Sequence, residues 1–348
     1  MIPAYNAAAT LPACLAALAA MSRPPDEIML FDDGSTDSSG TIGRAAGAMV
    51  LRNPGPPVGP AHGRNVLARK ARSDLLLFVD ADVVVAPDAL ERLIEAVRTH
   101  GADAAFGSYD DDPSSRHAAA RYANLRHHYQ HQNSAHDATT FWTGLGLIRR
   151  EIFLRLGGFD ERRFVHPSIE DVELGARLAA AGGTIRLAPE AQGKHYKDWT
   201  LLQVWRTDIL HRAYPWSCLL IEGRTAGRDL NVSMAERAKA VLAVSLVLLL
   251  PSGLAYAPLL AVFGTATLTY LWLNRRFFAL LARRMSPEAT LAGVLMHWFY
   301  HVYSAGTYGA ALITSRLGLH RPERDACRRG AIEDLRDERS GGDRLSRD

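Results

Sequence analysis

At 348 residues the chain has room for one domain of about 200 residues and a substantial appendage. Its formal net charge of +3 argues against a nucleic-acid binder, which calls for a strongly basic balance. The three cysteines, Cys14, Cys218 and Cys327, are far apart, lack zinc spacing and fall one short of two pairs, which suggests a reducing compartment.

The chain opens on Met1-Ile2-Pro3-Ala4-Tyr5-Asn6, a short strand with no signal peptide before it, so the first domain is expected to stay cytosolic. The apolar run Ile28-Met29-Leu30-Phe31 then stops at Asp32-Asp33 and turns at Gly34. It enters a helix through Ser35, Thr36 and Asp37, residue types that suit a helix N-terminus. Asp37 reads as part of that cap; for Asp32 and Asp33 the competing reading is complementation of the helix dipole. A further helix opens near Pro60 and carries Arg64 and Asn65.

The next strand-like run, residues 75–79, leads directly into Asp80-Ala81-Asp82. Carboxylates at i and i+2 leaving a buried strand both emerge at its C-terminal edge, where ligands sit in an open α/β sheet. Two acids there repel each other unless a cation or a sugar hydroxyl occupies the site. A hard divalent metal held by one or two carboxylates plus phosphate oxygens fits.

Farther along, His127, His128, His131 and His136 cluster, and His127 and His131 are one helical turn apart, as a zinc pair would be. No third ligand has matching spacing, which favours a solvated helix face or an acceptor surface. Trp142, in Trp142-Thr143-Gly144, offers an apolar face for a sugar ring or fills a core. The pattern of residues 168–174 predicts a helix with Glu170 and Asp171 near its start, where carboxylates are electrostatically favoured. His195 follows a strand and is placed either to complete a metal site or to remain solvent-exposed.

Together these pieces resemble the family 2 glycosyltransferases, inverting enzymes of the GT-A fold that use nucleotide-sugar donors. The matching segments are Pro3-Ala4-Tyr5-Asn6, Asp32 through Asp37, Gly59-Pro60-Ala61-His62-Gly63-Arg64-Asn65, Asp80-Ala81-Asp82, Gly157-Gly158-Phe159-Asp160 and Glu170-Asp171, in order over residues 1–200. The resemblance implies an α/β fold with a Rossmann-like, mainly parallel sheet flanked by helices. It implies donor binding by Pro3, Tyr5, Asp33, Arg64, Asn65, Asp80 and Ala81, with Pro3 and Tyr5 at the nucleobase. It implies a Mn²⁺ or Mg²⁺ ion on Asp82, joined by His195, and Asp171 as the catalytic base. The acceptor would lie over Trp142, Gly144 and Glu170. Members of the family usually carry four or five more β-branched residues before the Ile-Pro pair. Either the first strand is very short here, or the start lies downstream of the true one.

After residue 198 the pattern changes. Residues 199–236 read as amphipathic helices broken at Pro215, with aromatics suited to a membrane interface. Residues 237–315 read as membrane-embedded helices: arms 240–250 and 254–273, parted at Pro251-Ser252-Gly253, then an interfacial or re-entrant stretch 289–313. Arg275, Arg276, Arg283 and Arg284 are assigned to the cytosolic side. Residues 316–348 form a charged tail expected to be partly disordered.

The resulting expectation is a transferase at the cell membrane with its catalytic domain facing the cytoplasm. It would move a sugar from a nucleotide donor, UDP-linked by preference, to a lipid-linked or glycan acceptor, with membrane lipid as a partner. Two rivals are an inactive membrane scaffold that has kept the fold, against which intact Asp33, Asp80, Asp82 and Asp171 weigh, and a sugar nucleotidyltransferase. The latter needs a Gly-rich basic phosphate loop that residues 3–10 lack.

Overall fold

The computed structural model describes residues 1–225 and 233–319; most of the charged tail, with Cys327, lies outside them. The first half runs β1 (Ile2–Ala4), α1 (Leu11–Ala19), β2 (Met29–Asp32), α2 (Ser39–Ala45), β3 (Met49–Arg52) and α3 (Pro60–Lys70). It continues with β4 (Leu75–Val79), β5 (Val83–Val85), α4 (Ala89–Thr99), β6 (Ala104–Tyr109), α5 (Ala118–Gln132), β7 (Asp137–Ala138) and β8 (Leu145–Arg149). Then come α6 (Arg150–Arg155), α7 (Glu170–Ala180) and β9 (Ile185–His195).

Strands β1, β2 and β3 are all parallel, in that order. The second sheet, ordered β4-β8-β6-β9-β5, is mixed: β6 and β9 run parallel, whereas β8 is antiparallel to both β4 and β6. The three-residue β1 joins them, because Met1 donates its amino group to the Leu77 carbonyl and accepts from the Val79 N–H. Parallel order is thus confined mainly to the β1–β3 sheet, and one short strand suffices to connect it to β4.

Alternation along the strands sorts the core onto two faces. Leu30 and Val79 pack with Leu15 of α1 and Leu93 of α4 on one side. Phe31, Phe78 and Phe106 pack with Leu67 of α3, Phe153 of α6 and Leu174 of α7 on the other. Phe78 is fully buried and lies edge-on to Phe141 and Phe159, so truncating it to alanine would cost about 3–5 kcal/mol. This core holds the C-terminal ends of β2 and β4, and hence their acids, at one edge.

The second half comprises α8 (Leu201–Arg206), a π-helix (Thr207–Ala213), α9 (Tyr214–Ile221), α10 (Met234–Ala255), α11 (Pro258–Leu273), α12 (Arg275–Arg284) and α13 (Pro287–Arg316). The break expected at Pro215 does not occur. In an α-helix the His211 carbonyl would accept from residue 215, and proline has no N–H to give. The chain widens into a π turn instead, with the Tyr214 N–H reaching the Ile209 carbonyl, and Ser168 Oγ donates to the His211 carbonyl at 2.6 Å.

A second expected break, at residues 251–253, is also displaced. Helix α10 runs through Pro251 and ends at Ala255, with Ser252 Oγ donating to the Leu248 carbonyl near the proline. Near a helix end a proline removes one hydrogen bond without a long downstream helix to disrupt. Helix α10, 22 residues and about 33 Å long, is the one helix among the described residues long and apolar enough to cross a membrane. Helix α11 is apolar but has 16 residues.

Helix α13, 30 residues long, covers the catalytic half rather than lying apart from it. Tyr122 OH of α5 meets His297 Nδ1 at 3.1 Å, and Trp298 Nε1 donates to the Ala243 carbonyl of α10 at 3.2 Å. Arg284 pairs with Asp111 at 2.6 Å, so the end of α12 lies on the side of the catalytic half.

Candidate active site

The acid-bearing strand ends open onto one cavity of about 1200 Å³. Its lining includes Pro3, Tyr5, Asp33, Arg64, Asp80, Ala81, Asp82, Trp142, Glu170, Asp171 and His195. Of the residues singled out in the sequence, Asn65 and Gly144 stand outside that lining.

At the β1 end of the cavity, the Tyr5–Ala8 loop is clasped onto the Asp32–Ser39 segment. Asn6 Oδ1 accepts from the Thr36 N–H at 2.9 Å, and the N–H groups of Asn6, Ala7 and Ala8 donate to Ser35 Oγ, Ser39 Oγ and Asp37 Oδ2. Asn6 has φ of +50°, a conformation asparagine tolerates better than most residues. Asp37 also accepts from the Ser39 N–H at 2.9 Å and so does cap the helix. Tyr5 is left 53% exposed over the cavity mouth, free to stack on a planar ligand.

Asp33 is buried and accepts from the N–H groups of Val58 (3.0 Å) and Gly59 (2.8 Å) and from Asn53 Nδ2 (2.9 Å). Its carboxylate therefore fixes the loop leading to α3 as well as lining the cavity. Gly59, at φ +94°, leaves no room for a side chain: a Cβ would come within 2.4 Å of the Val165 carbonyl oxygen. The loop before α3 and the loop before α7 are thus pressed together at a glycine.

Arg64 is a buried strut. It donates to Asp80 Oδ1 at 2.6 Å and to Glu170 Oε1 at 2.8 Å, joining the end of β4 to the start of α7. Glu170 accepts in addition from the Ser168 N–H at 3.0 Å. Asn65 turns away from the cavity. Its amide donates to the Phe159 carbonyl and accepts from the Phe159 N–H at 2.8 Å, across 94 residues of sequence. It pins the Gly157-Gly158-Phe159 turn, and a Cβ on Gly158 would come within 2.3 Å of Asn65 Oδ1.

Asp82 Oδ2 lies 3.5 Å from His195 Nε2 and 3.6 Å from Lys197 Nζ. Burial opposes its charge, but the His195 hydrogen bond and the Lys197 ammonium outweigh that and hold the carboxyl below the usual carboxylate range. The His195 ring stacks on Tyr109 with centroids 4.3 Å apart and planes 7° from parallel. A carboxylate and an imidazole converging at this distance are donors that Mn²⁺ accepts. Among the described residues no three potential ligands cluster, so a cation here would take its remaining ligands from a bound diphosphate.

Asp171, at the N-terminus of α7, accepts from the N–H and Oγ1 of Thr143 at 3.1 and 3.2 Å. Burial and the neighbouring Glu170 charge push its carboxyl up to about 6, against the opposing pull of the Thr143 N–H and Arg64. Thr143 had no motif to mark it. Gly144 lies beneath Trp142, whose ring a Cβ there would approach to 2.2 Å.

The three histidines on α5 form no solvated face, while His136, beyond the helix, is exposed with Nδ1 3.1 Å from the Leu187 carbonyl. His131 is buried with Nδ1 on the Gly107 carbonyl at 2.9 Å, and His128 Nδ1 meets the Tyr109 carbonyl at 2.8 Å. His127 lines the cavity between Tyr109 (4.5 Å) and Trp142 (4.6 Å). Burial holds His127 well below the usual imidazole range and His131 down at about 4, so both are neutral and serve as aromatic wall.

Residues 1–157 match the family described as Glycosyl transferase family 2. The chain is 28% identical over 237 residues to the succinoglycan biosynthesis protein ExoA of Rhizobium meliloti, covering 62% of this chain and 71% of that protein. It is 31% identical over 187 residues to an uncharacterized glycosyltransferase of Mycobacterium tuberculosis, covering 52% of this chain and 78% of the relative. Among solved structures, the mannosyltransferase PcManGT from Pyrobaculum calidifontis, in complex with GDP-Man and Mn²⁺, superposes with a TM-score of 0.53 at 18% identity. That likeness covers 90% of this chain and 85% of PcManGT, and it is a likeness of fold.

Proposed function

The chain belongs to glycosyl transferase family 2, and on that premise we propose that it is a membrane-associated inverting transferase moving a sugar from a nucleotide sugar to a hydroxyl acceptor. The reading is carried by one observation: the Asp82–His195 pair and Asp171, its carboxyl pushed up to about 6, line a single cavity.

In this reading Pro3 and Tyr5 flank the nucleobase, with uracil the preferred base, and Asp33 holds the loop that closes on the ribose. Asp80 and Ala81 contact the ribose or donor sugar, and the Arg64 strut fixes Asp80 against Glu170. Asp82 and His195 would hold Mn²⁺ or Mg²⁺, which supplies Lewis-acid stabilisation of the departing diphosphate. Asp171 takes the proton of the acceptor hydroxyl while that oxygen bonds the anomeric carbon and the bond to the diphosphate oxygen breaks. Thr143 keeps the carboxylate aimed, and Trp142 offers its face to the acceptor sugar.

Helix α10 supports membrane attachment by its length and apolarity, with the catalytic domain on the cytoplasmic side, where nucleotide sugars are made. A lipid-linked or glycan acceptor follows from that placement. The test is a panel of nucleotide sugars assayed for Mn²⁺-dependent binding and hydrolysis, with detergent-solubilised wild type beside Asp82→Ala. One donor bound with metal and lost in the variant is the expected result; a folded wild type that binds none would overturn the proposal.

A further inference from the structure

Helices α10 and α11 form an apolar hairpin, with no charged side chain between residues 240 and 274. Its tip is at Tyr256, which is 63% exposed, beside Gly253, where a Cβ would come within 2.7 Å of Leu260. Its foot is fastened to two successive turns of α13. Glu236 Oε2, in the first turn of α10, lies 3.1 Å from His301 Nε2, and Tyr270 OH of α11 lies 2.8 Å from His301 Nδ1. One turn earlier, His297 Nε2 meets Asn274 Oδ1 at 3.1 Å, while its Nδ1 faces Tyr122 of the catalytic half. Both arms therefore end at one level, on the side of the catalytic half. A bilayer that takes in the hairpin has its surface there.

Helix α12 starts at that level. Buried Asn274 ends α11 and opens α12, its amide donating to the Tyr270 carbonyl at 2.9 Å. On the inner side of α12, Phe277, Leu280 and Leu281 are buried, and Phe277 lies 5.2 Å from Tyr129 of α5. That apolar face is already covered by protein, so what α12 offers outward is charge. Arg275, Arg276, Ala279, Ala282 and Arg283 are all exposed, the two alanines leaving the guanidinium groups room to meet a flat surface.

These cations are not used inside the molecule. Arg284, on the inner side, pairs with Asp111, but Arg276 and Arg283 make no hydrogen bond or ion pair among the described residues. Arg275 lies 4.4 Å over the ring of Trp272 and donates to its carbonyl at 2.9 Å, which leaves most of its five donors free. Trp272 is itself 59% exposed at the end of the apolar arm, where an indole suits the boundary between hydrocarbon and head groups. Trp272 and the three arginines stand outside the lining of the active-site cavity.

We propose that the outer face of α12 docks on an anionic lipid surface, with Arg275, Arg276 and Arg283 on lipid phosphates and Trp272 at the interface. Continuity with the hairpin selects a bilayer as the partner, since the same level carries both the apolar arm and the unpaired cations. The inference rests on the membrane attachment in the transferase reading and goes beyond it, making attachment selective for anionic head groups.

The test dilutes the full chain out of detergent and floats it with vesicles of phosphatidylcholine alone or mixed equally with phosphatidylglycerol. The wild type should partition at least about tenfold better onto the anionic vesicles, a preference that shrinks as salt is raised. Replacing Arg275, Arg276 and Arg283 by glutamine together should abolish the preference and leave partition onto phosphatidylcholine, which the hairpin supplies. Should the triple variant fail to fold, the single variants decide in its place, each expected to lose about fivefold. Glutamine at Arg44, Arg69 and Arg98, exposed on the catalytic half, removes the same charge and should keep the preference. A preference that survives at α12, or that the control loses equally, would overturn the docking face. A wild type that floats equally with both vesicles overturns this inference alone. One that floats with neither overturns membrane attachment too, and binding of a nucleotide sugar with Mn²⁺ would still leave the transferase chemistry standing.

Discussion

The two halves of the molecule bury charge by different means. In the catalytic half, acids at strand ends are satisfied by backbone N–H groups and by one strut: Asp33 by Val58 and Gly59, Asp171 by Thr143, Asp80 and Glu170 by Arg64. Where the helical half docks on the catalytic half, the charges sit among aromatic rings. Arg126 lies 4.3 Å over Tyr300 and 5.5 Å over Tyr122, and it is tied to Asp208 on the π-helix. Backbone donors fix an acid in place and leave oxygen lone pairs free for a ligand. Long side chains meeting across helices instead fasten two bodies together. The first arrangement suits chemistry and the second suits docking of the helices onto the catalytic domain.

The sharpest way to break this contrast is at Asp171. With the charge removed, Asp171→Asn should lower kcat by about 10²–10⁴-fold, measured with saturating donor. The wild type should lose kcat/KM with unit slope below about pH 6, because the base is protonated there, and the variant should lose that limb. Stability should move the opposite way. A carboxyl raised to about 6 when folded, above its ordinary value when unfolded, costs the folded state nothing below the unfolded value. The cost grows through the interval and is full above about pH 6. Asp171→Asn should therefore melt higher at neutral pH, by up to about 3 kcal/mol of stability and less if Thr143 loses a good acceptor.

At the junction of the two halves the corresponding break is Arg126→Leu. It removes the buried partner of Asp208, which is 4% exposed and keeps only Arg212 and Tyr303, and should cost about 3 kcal/mol in chemical denaturation. Burial opposes the Asp208 charge, but Arg126 and Arg212 outweigh it and hold the carboxyl below the ordinary range. The stability gained from that is present above the unfolded value and lost as pH falls through the folded one. The variant should show a shallower acid limb than the wild type.

A smaller effect is expected at Tyr109, which touches His195 without reaching the cation. Tyr109→Leu removes the stacked ring and should weaken Mn²⁺ about 10-fold, read by paramagnetic resonance in the presence of nucleotide. If affinity holds, the ring is only packing.

These residues also mark where the sequence was legible. The acids could be read because each ends an apolar run or opens a periodic one, so the local pattern carries strand, edge and charge at once. Tyr109 carried a usable signal, as the last residue of the run Ala104–Tyr109 before Asp110. Arg126 and Tyr303 carried none, since they meet across 177 residues. Asn65 stood inside a motif but serves Phe159, 94 residues away, and a motif does not say which way its side chain turns. The two prolines read as helix breakers failed for different reasons: at Pro215 a widened turn and the Ser168 hydroxyl meet the lost hydrogen bond, whereas Pro251 lies in the last turns of α10 with little helix after it to disrupt.

The smallest prediction tests the joint between the halves. Ser168, three residues before Asp171, gives its hydroxyl to the His211 carbonyl, the acceptor left without an α-helical donor by Pro215. Ser168→Ala should cost about 1 kcal/mol, a few degrees in Tm. Pro215→Ala restores an N–H and lets the turn tighten to α, so the His211 carbonyl no longer depends on Ser168. The double variant should then lose less than the sum of the singles, with a coupling of about 0.5 kcal/mol or more. Strict additivity would mean that the π turn is held by Arg126, Tyr303 and Asp208 alone. The Ser168–His211 contact would then contribute nothing to holding that turn.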